Sequence, residues 1–257
     1  MRGMIRLATA PEEHALVPCP RRAALLTAGV VALTAVVFAL VAGHGTLAGI
    51  QRLDDAWLRL MISGRAPALT LIAKVFNVLG LVYVTLPVRI AVAGFLALRR
   101  RWWHLAAFTA AVVVSEVLIG SLKGIYDRAR PPGSLVATSG ASFPSGHAVA
   151  ASVTAVAAVI ALVPPGRRRA LWGAAAVAFS ILMGLSRAYL GAHWLSDATA
   201  GILLGTSCAL LAALAAGLLQ RRQQERRGRQ RGRQPPGTQR PAAIAWPGPA
   251  GRERRRT

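Results

Sequence analysis

Six runs of apolar residues dominate this chain, at about 23–43, 68–98, 103–123, 147–164, 170–190 and 197–219. A helix needs roughly 20 consecutive apolar residues to cross a hydrocarbon core of about 30 Å. The pattern therefore specifies an all-α, polytopic membrane bundle of about six transmembrane helices. That bundle spans 23–219, between an N-terminal tail at 1–22 and a C-terminal tail at 220–257. The second run is long enough to tilt or to begin before the bilayer. The fourth and fifth are short, but Pro164-Pro165-Gly166 and three arginines separate them. The first run follows Arg21 and Arg22 as a signal peptide would, yet it is too long for a signal core and the AGHG after it is a poor cleavage site. It is expected to stay as a helix. Cys19 and Cys208 lie in different parts of the chain, so no disulfide and no metal-type cysteine spacing is expected.

Charge is as unevenly placed as hydrophobicity. The formal net charge is +22, and residues 221–257 alone hold twelve arginines against Glu225 and Glu253. Rich also in Gln, Gly and Pro, that tail has too little apolar surface to fold and is expected to be disordered. Its expected partners are anionic lipid headgroups. Nucleic acid is not expected, because Trp246 is the tail's one aromatic and no stacking pattern accompanies the arginines. The other basic clusters are Arg21-Arg22, Arg99-Arg100-Arg101 and Arg167-Arg168-Arg169. They fall before the first run and after the second and fourth, so all face the cytoplasm under the positive-inside rule. The intervening connections then face outward from a cell membrane.

Chemistry-bearing residues gather on that outward side. One connection runs from Lys123 through Arg128 and Arg130 to Phe143-Pro144-Ser145-Gly146-His147, and the next carries Arg187, His193 and Asp197. A single basic residue at a helix end is ordinarily an interface anchor. Three to four cations with two histidines and an acid are harder to explain that way. Arginine forks match phosphate oxygens, and lysine acts as a point charge. Lys123 stands out because the chain has only two lysines, Lys74 being the other. Ser145, Gly146 and the His147 amide open an apolar helix, and a helix N-terminus favours anions. Gly146 also leaves room for close approach. His193 and Asp197 are four apart, so a carboxylate there can orient one ring nitrogen and leave the other to attack phosphorus. His147 then remains for proton transfer to the leaving oxygen. Asp197 equally suits the first turn of a helix as a dipole partner.

These segments, Lys123-x6-Arg130-Pro131, Pro144-Ser145-Gly146-His147 and Ser186-Arg187-x5-His193-x3-Asp197, resemble the three-part signature of the type-2 phosphatidic acid phosphatase family, which includes vanadium-dependent haloperoxidases. The resemblance covers about 103–217. It implies a helical membrane bundle, a phosphohistidine on His193, a general acid at His147, and phosphate held by Lys123, Arg130, Ser145, Gly146 and Arg187. It also implies no metal and no cofactor. Ala129 departs from the proline common at that position, and Arg128 is not a signature residue.

Outside the signature, Glu116 lies within the third run and needs a buried hydrogen bond or an arginine partner. Asp54-Asp55-Ala-Trp-Leu-Arg-Leu reads as an interfacial amphipathic turn or short helix over the site. The leading function is hydrolysis of a lipid phosphate or diphosphate, phosphatidate-like or undecaprenyl diphosphate-like, at the outer face. A haloperoxidase and a non-catalytic anion-binding membrane protein are the alternatives.

Overall fold

The computed structural model describes residues 14–232, so residues 1–13 of the N-terminal tail and 233–257 of the C-terminal tail lie outside the described residues. Among the described residues eight helices follow one another: α1 (Pro20–Ala42), α2 (His44–Ser63), α3 (Pro67–Leu79), α4 (Val82–Leu98), α5 (Trp102–Tyr126), α6 (Gly146–Leu162), α7 (Arg167–Tyr189) and α8 (Leu195–Gly232). The bundle is all-α, as the apolar runs require. Four helices, α1, α5, α7 and α8, are long and apolar enough to cross a membrane.

The second apolar run is not one tilted helix but two, α3 and α4, bent by 51° at their junction. The break falls at Gly80 and Leu81, where Gly80 caps α3 and Leu81 restarts the chain in extended conformation. Counted as one span, the pair makes a fifth crossing. The fourth run, α6, has 17 residues and so is only about 25 Å long. It is the most enclosed helix, with Ala148, Val149, Ser152, Val153 and Ala157 all buried. Small residues let its neighbours approach closely. A Cβ on Gly201 of α8 would lie 2.7 Å from the Ser145 carbonyl and 2.9 Å from Ala148. Around this contact Val149, Val153, Leu204, Cys208, Phe108 and Leu96 form the main core.

The Asp54 region is a full 20-residue helix, α2, rather than a short interfacial turn. Asp54 is buried. Helix α8 continues past the expected start of the tail, through Gly232, in keeping with the good helix propensity of Arg, Gln and Glu in its last turns. At the end of the bundle carrying Arg99–Arg101, Leu16 and Val17 pack with Ala107 and Ala216. Arg169 fastens this end, donating to the carbonyls of Val163 at 2.7 Å, Leu16 at 2.8 Å and Ile160 at 3.1 Å.

Candidate active site

Four helix ends meet at the opposite end of the bundle: the C-termini of α5 and α7, which carry Lys123 and Arg187, and the N-termini of α6 and α8. Two helix N-termini aimed at one place favour an anion there. Ser145 is the N-cap of α6, yet its hydroxyl makes no capping bond. It is fully buried and without a hydrogen-bond partner among the described residues. The Ser145 amide instead donates to the Asp197 carbonyl at 3.1 Å, joining the two helix starts. Beside Gly146 the space is open, with nothing within 4 Å of where a Cβ would sit.

His193 occupies the turn between α7 and α8, entered through Gly191 at a φ of +66°, a conformation that glycine adopts without strain. The sequence reading gave Asp197 the role of orienting its ring. In the structure the nearest partner of His193 Nδ1 is the Ser142 carbonyl at 2.8 Å, with the Asp197 carboxylate behind it at 3.7 Å. A carbonyl only accepts, so Nδ1 carries the hydrogen and Nε2 presents a lone pair. The Arg130 guanidinium meets that Nε2 at 3.2 Å. Burial lowers the His193 pKa to about 4, against the opposing pull of Asp197, with Arg130 and Arg187 adding to the depression.

Asp197 itself is fully enclosed. It accepts from the Ser142 hydroxyl, from the Trp194 amide at 3.0 Å and from Arg128 at 2.7 Å. Because α8 begins at Leu195, the Trp194 contact is a carboxylate in the first turn reaching back to the N-cap amide, half of a capping box. The side chain that caps α8 is therefore also the carboxylate standing behind the His193 ring.

The cations differ in their surroundings. Arg130 donates to the carbonyls of Ala192 at 2.8 Å, Gly140 at 2.9 Å and Ser139 at 2.7 Å. Lys123 reaches the Ala141 carbonyl at 3.2 Å. Arg187 is buried; one of its amino groups donates to the Asn77 side-chain oxygen, while its Nε has no partner among the described residues. None of these three has a carboxylate within ion-pair distance, since the ion pairs among the described residues are Arg89–Glu116, Arg128–Asp54, Arg128–Asp197 and His193–Asp197. His147 lies within electrostatic range of Arg187, His193 and Lys123, and its buried Nε2 is likewise without a partner. All eight signature residues thus share one end of the bundle, and Arg128 lies there with them.

Arg128 is consumed by structure. It binds Asp54 at 2.8 Å, Gln51 at 2.8 Å, Ser196 at 2.7 Å and Asp197, tying α2 to the start of α8. Glu116 pairs with Arg89 at 2.6 Å, and Arg89 also donates to Thr154 at 2.9 Å. Sequence reasoning missed Ser142, Asn77 and Gly80. Gly80 packs directly against the His147 ring, where any Cβ would collide. A lone amide in an apolar run was the signal available for Asn77, because an unpaired polar group in lipid is costly.

Residues 101–221 match the family model of the PAP2 superfamily. This segment belongs to the PAP2 superfamily. The match starts at α5, so α1, α2, α3 and α4 lie outside it. Among characterised proteins, the chain is 28% identical over 161 residues to phosphatidylglycerophosphatase B of Bacillus subtilis, covering 61% of this chain and 79% of that one. The crystal structure of a transmembrane PAP2-type phosphatidylglycerolphosphate phosphatase from Bacillus subtilis superposes with a TM-score of 0.65 at 24% identity, over 72% of this chain and 93% of the other, a likeness of fold. The Aquifex aeolicus LpxE structure gives 0.52 at 26% identity, over 62% and 94%.

Proposed function

We propose that this PAP2 protein is an integral membrane phosphatase that releases the terminal phosphate of a lipid phosphate or diphosphate through a phosphohistidine. One observation carries the reading. Three buried polar groups, Ser145 Oγ, His147 Nε2 and Arg187 Nε, have no hydrogen-bond partner among the described residues. They belong to a cluster of cations without a neutralising carboxylate. Buried donors and charges are costly unless they are paired, and a phosphoryl group satisfies both needs at once. The PAP2 match and the phosphatase relatives support the same chemistry.

In the proposed reaction Lys123, Arg130, Arg187, the Ser145 hydroxyl and the α6 amides at Gly146 and His147 bind the phosphoryl oxygens and stabilise their growing charge. Arg130 shifts from His193 Nε2 to a phosphate oxygen, freeing the lone pair. Nε2 attacks phosphorus, the bond to the lipid oxygen breaks, and His147, protonated as the phosphoryl anion binds beside it, gives that proton to the oxygen. Ser142 and Asp197 hold the Nδ1 side and support the cation formed. A water then gives its proton to His147 and attacks phosphorus, the P–N bond breaks, and orthophosphate leaves. The cationic cluster takes the place a metal would otherwise fill. With the arginine clusters on the cytoplasmic side, the site opens outward from the cell membrane, where the lipid keeps its tail in the bilayer.

The test is phosphate release by the purified protein from phosphatidate, phosphatidylglycerophosphate and undecaprenyl diphosphate, each with and without EDTA. Release that survives chelation supports the reading. Release from none of them, or release restored only by a divalent ion, overturns it.

A further inference from the structure

Where the connector after α2 enters α3 lies a cleft of about 380 Å³ lined by Arg65, Ala66, Pro67, Thr70, Leu71 and Lys74. It differs from the other large cavities at α1, α5 and α8 and at α4, α6 and α7, whose linings are almost wholly apolar. Resting on the phosphatase reading above, we infer that this elbow is a second anion subsite, which takes a second acidic group on the same headgroup as the phosphate being cleaved.

Position is the first argument. Arg65 reaches the Gly133 carbonyl at 3.4 Å, and its guanidinium lies 3.6 Å from where a Cβ on Gly191 would sit. At most about 7 Å of chain separates Gly191 from His193. The floor of the cleft is fastened to the end of α7 that carries Arg187: the Tyr189 hydroxyl accepts the Ala66 amide at 3.1 Å and meets the Thr70 hydroxyl at 3.0 Å. Thr70, Lys74 and Asn77 follow at helical spacing along one stripe of α3, and Asn77 holds Arg187. The cleft and the proposed phosphate site are therefore both fastened to the end of α7.

Charge is the second argument. Neither Arg65 nor Lys74 appears in an ion pair among the described residues. Arg65 Nε is buried without a hydrogen-bond partner among them, so the fork is held at the rim with a donor unused. Lys74 and Lys123 are the chain's only lysines, one at each proposed anion site. A strongly hydrated ammonium beside a guanidinium fork suits an ionised phosphodiester or second phosphate. The fitting substrate class is a lipid whose headgroup carries a terminal phosphate monoester and another acidic group one short linker away.

The experiment compares phosphatidylglycerophosphate, which carries a diester and a monoester, with phosphatidate of the same acyl chains, which has the monoester alone. Full-length protein in detergent micelles is assayed as wild type, Arg65→Gln, Lys74→Gln, the double variant and Lys74→Arg. The double variant is expected to raise KM for the two-acid lipid about tenfold, the loss of roughly one charge-assisted contact, with kcat unchanged. KM for phosphatidate should stay within about twofold, and Lys74→Arg should stay near wild type, since it keeps the charge. Equal shifts on both lipids, or no shift, overturn the subsite. Added phosphatidylglycerol or orthophosphate separates the sources: if either alters phosphatidate turnover only when Arg65 and Lys74 are present, the cleft binds a separate anion and the same-headgroup assignment fails. Activity of the single variants shows whether they fold. Wild-type protein that releases phosphate from neither lipid contradicts the phosphatase reading itself, whereas release without selectivity sinks the subsite alone.

Discussion

Asn77 holds a buried guanidinium with a neutral oxygen, which orients Arg187 without consuming its charge. An aspartate there would form an ion pair that competes with phosphate. Asn77→Asp is therefore expected to raise KM about tenfold or more, while Asn77→Ala loses orientation but leaves the charge available and costs less. The kcat/KM of Asn77→Asp should recover toward low pH as the new carboxylate protonates, a signature that a purely structural defect lacks; identical profiles for the two variants would refute the role. His193 sets a second pH dependence. Burial holds its pKa near 4, below the ordinary value of about 6.5, so the ring is neutral above that point and able to serve as the proposed nucleophile. The kcat/KM should fall as pH drops through about 4 and stay flat from 5 to 7 on account of this group. A fall centred near 6.5 would mean that the ring is solvated. Lys123, Arg130, Arg187 and both histidines were legible because their spacing and residue types belong together. Ser142 was not, since a serine contributing a backbone carbonyl to His193 carries no mark in the sequence.

Helix α6 brings Ser145 and His147 to the site, and its position depends on glycines in its neighbours. Gly201 lets α8 approach the Ser145 carbonyl. A Gly201→Val change would push the start of α6 away, with an expected cost of about 1–3 kcal/mol from overpacking and a larger proportional loss of kcat than of folded protein. Thermal unfolding in detergent alongside phosphate release measures both, and unchanged kcat in a destabilised protein would count against the coupling. The apolar runs placed α1, α5, α7 and the start of α8 within a few residues because length and hydropathy are what a bilayer reads. They could not mark the bend between α3 and α4, because Leu79, Gly80 and Leu81 are apolar on both sides of the break. Nor did they mark α2. Its Gln51 and Asp54 are polar, yet they face Arg128 inside the protein, so an inward polar stripe read from sequence as an exposed surface.

The end with Lys123 and Arg187 and the end with Arg99–Arg101 and Arg167–Arg169 lie at opposite extremes of the bundle, since α5 and α7 each start at an arginine cluster and carry Lys123 or Arg187 near their finish. That polarity was readable from the positions of the basic clusters alone. A cysteine replacing Ser134, in the loop beside the site, should react with an impermeant thiol reagent on intact cells; protection there, with labelling only after lysis, would reverse the proposed orientation. Whether His193 carries the phosphoryl group is read by trapping acid-labile, base-stable phosphoenzyme during turnover of a radiolabelled lipid phosphate. The label should appear in wild-type protein and on His193 by peptide mapping, and should be absent from His193→Ala. Phosphoenzyme that survives in His193→Ala, or that maps to His147, would contradict the account.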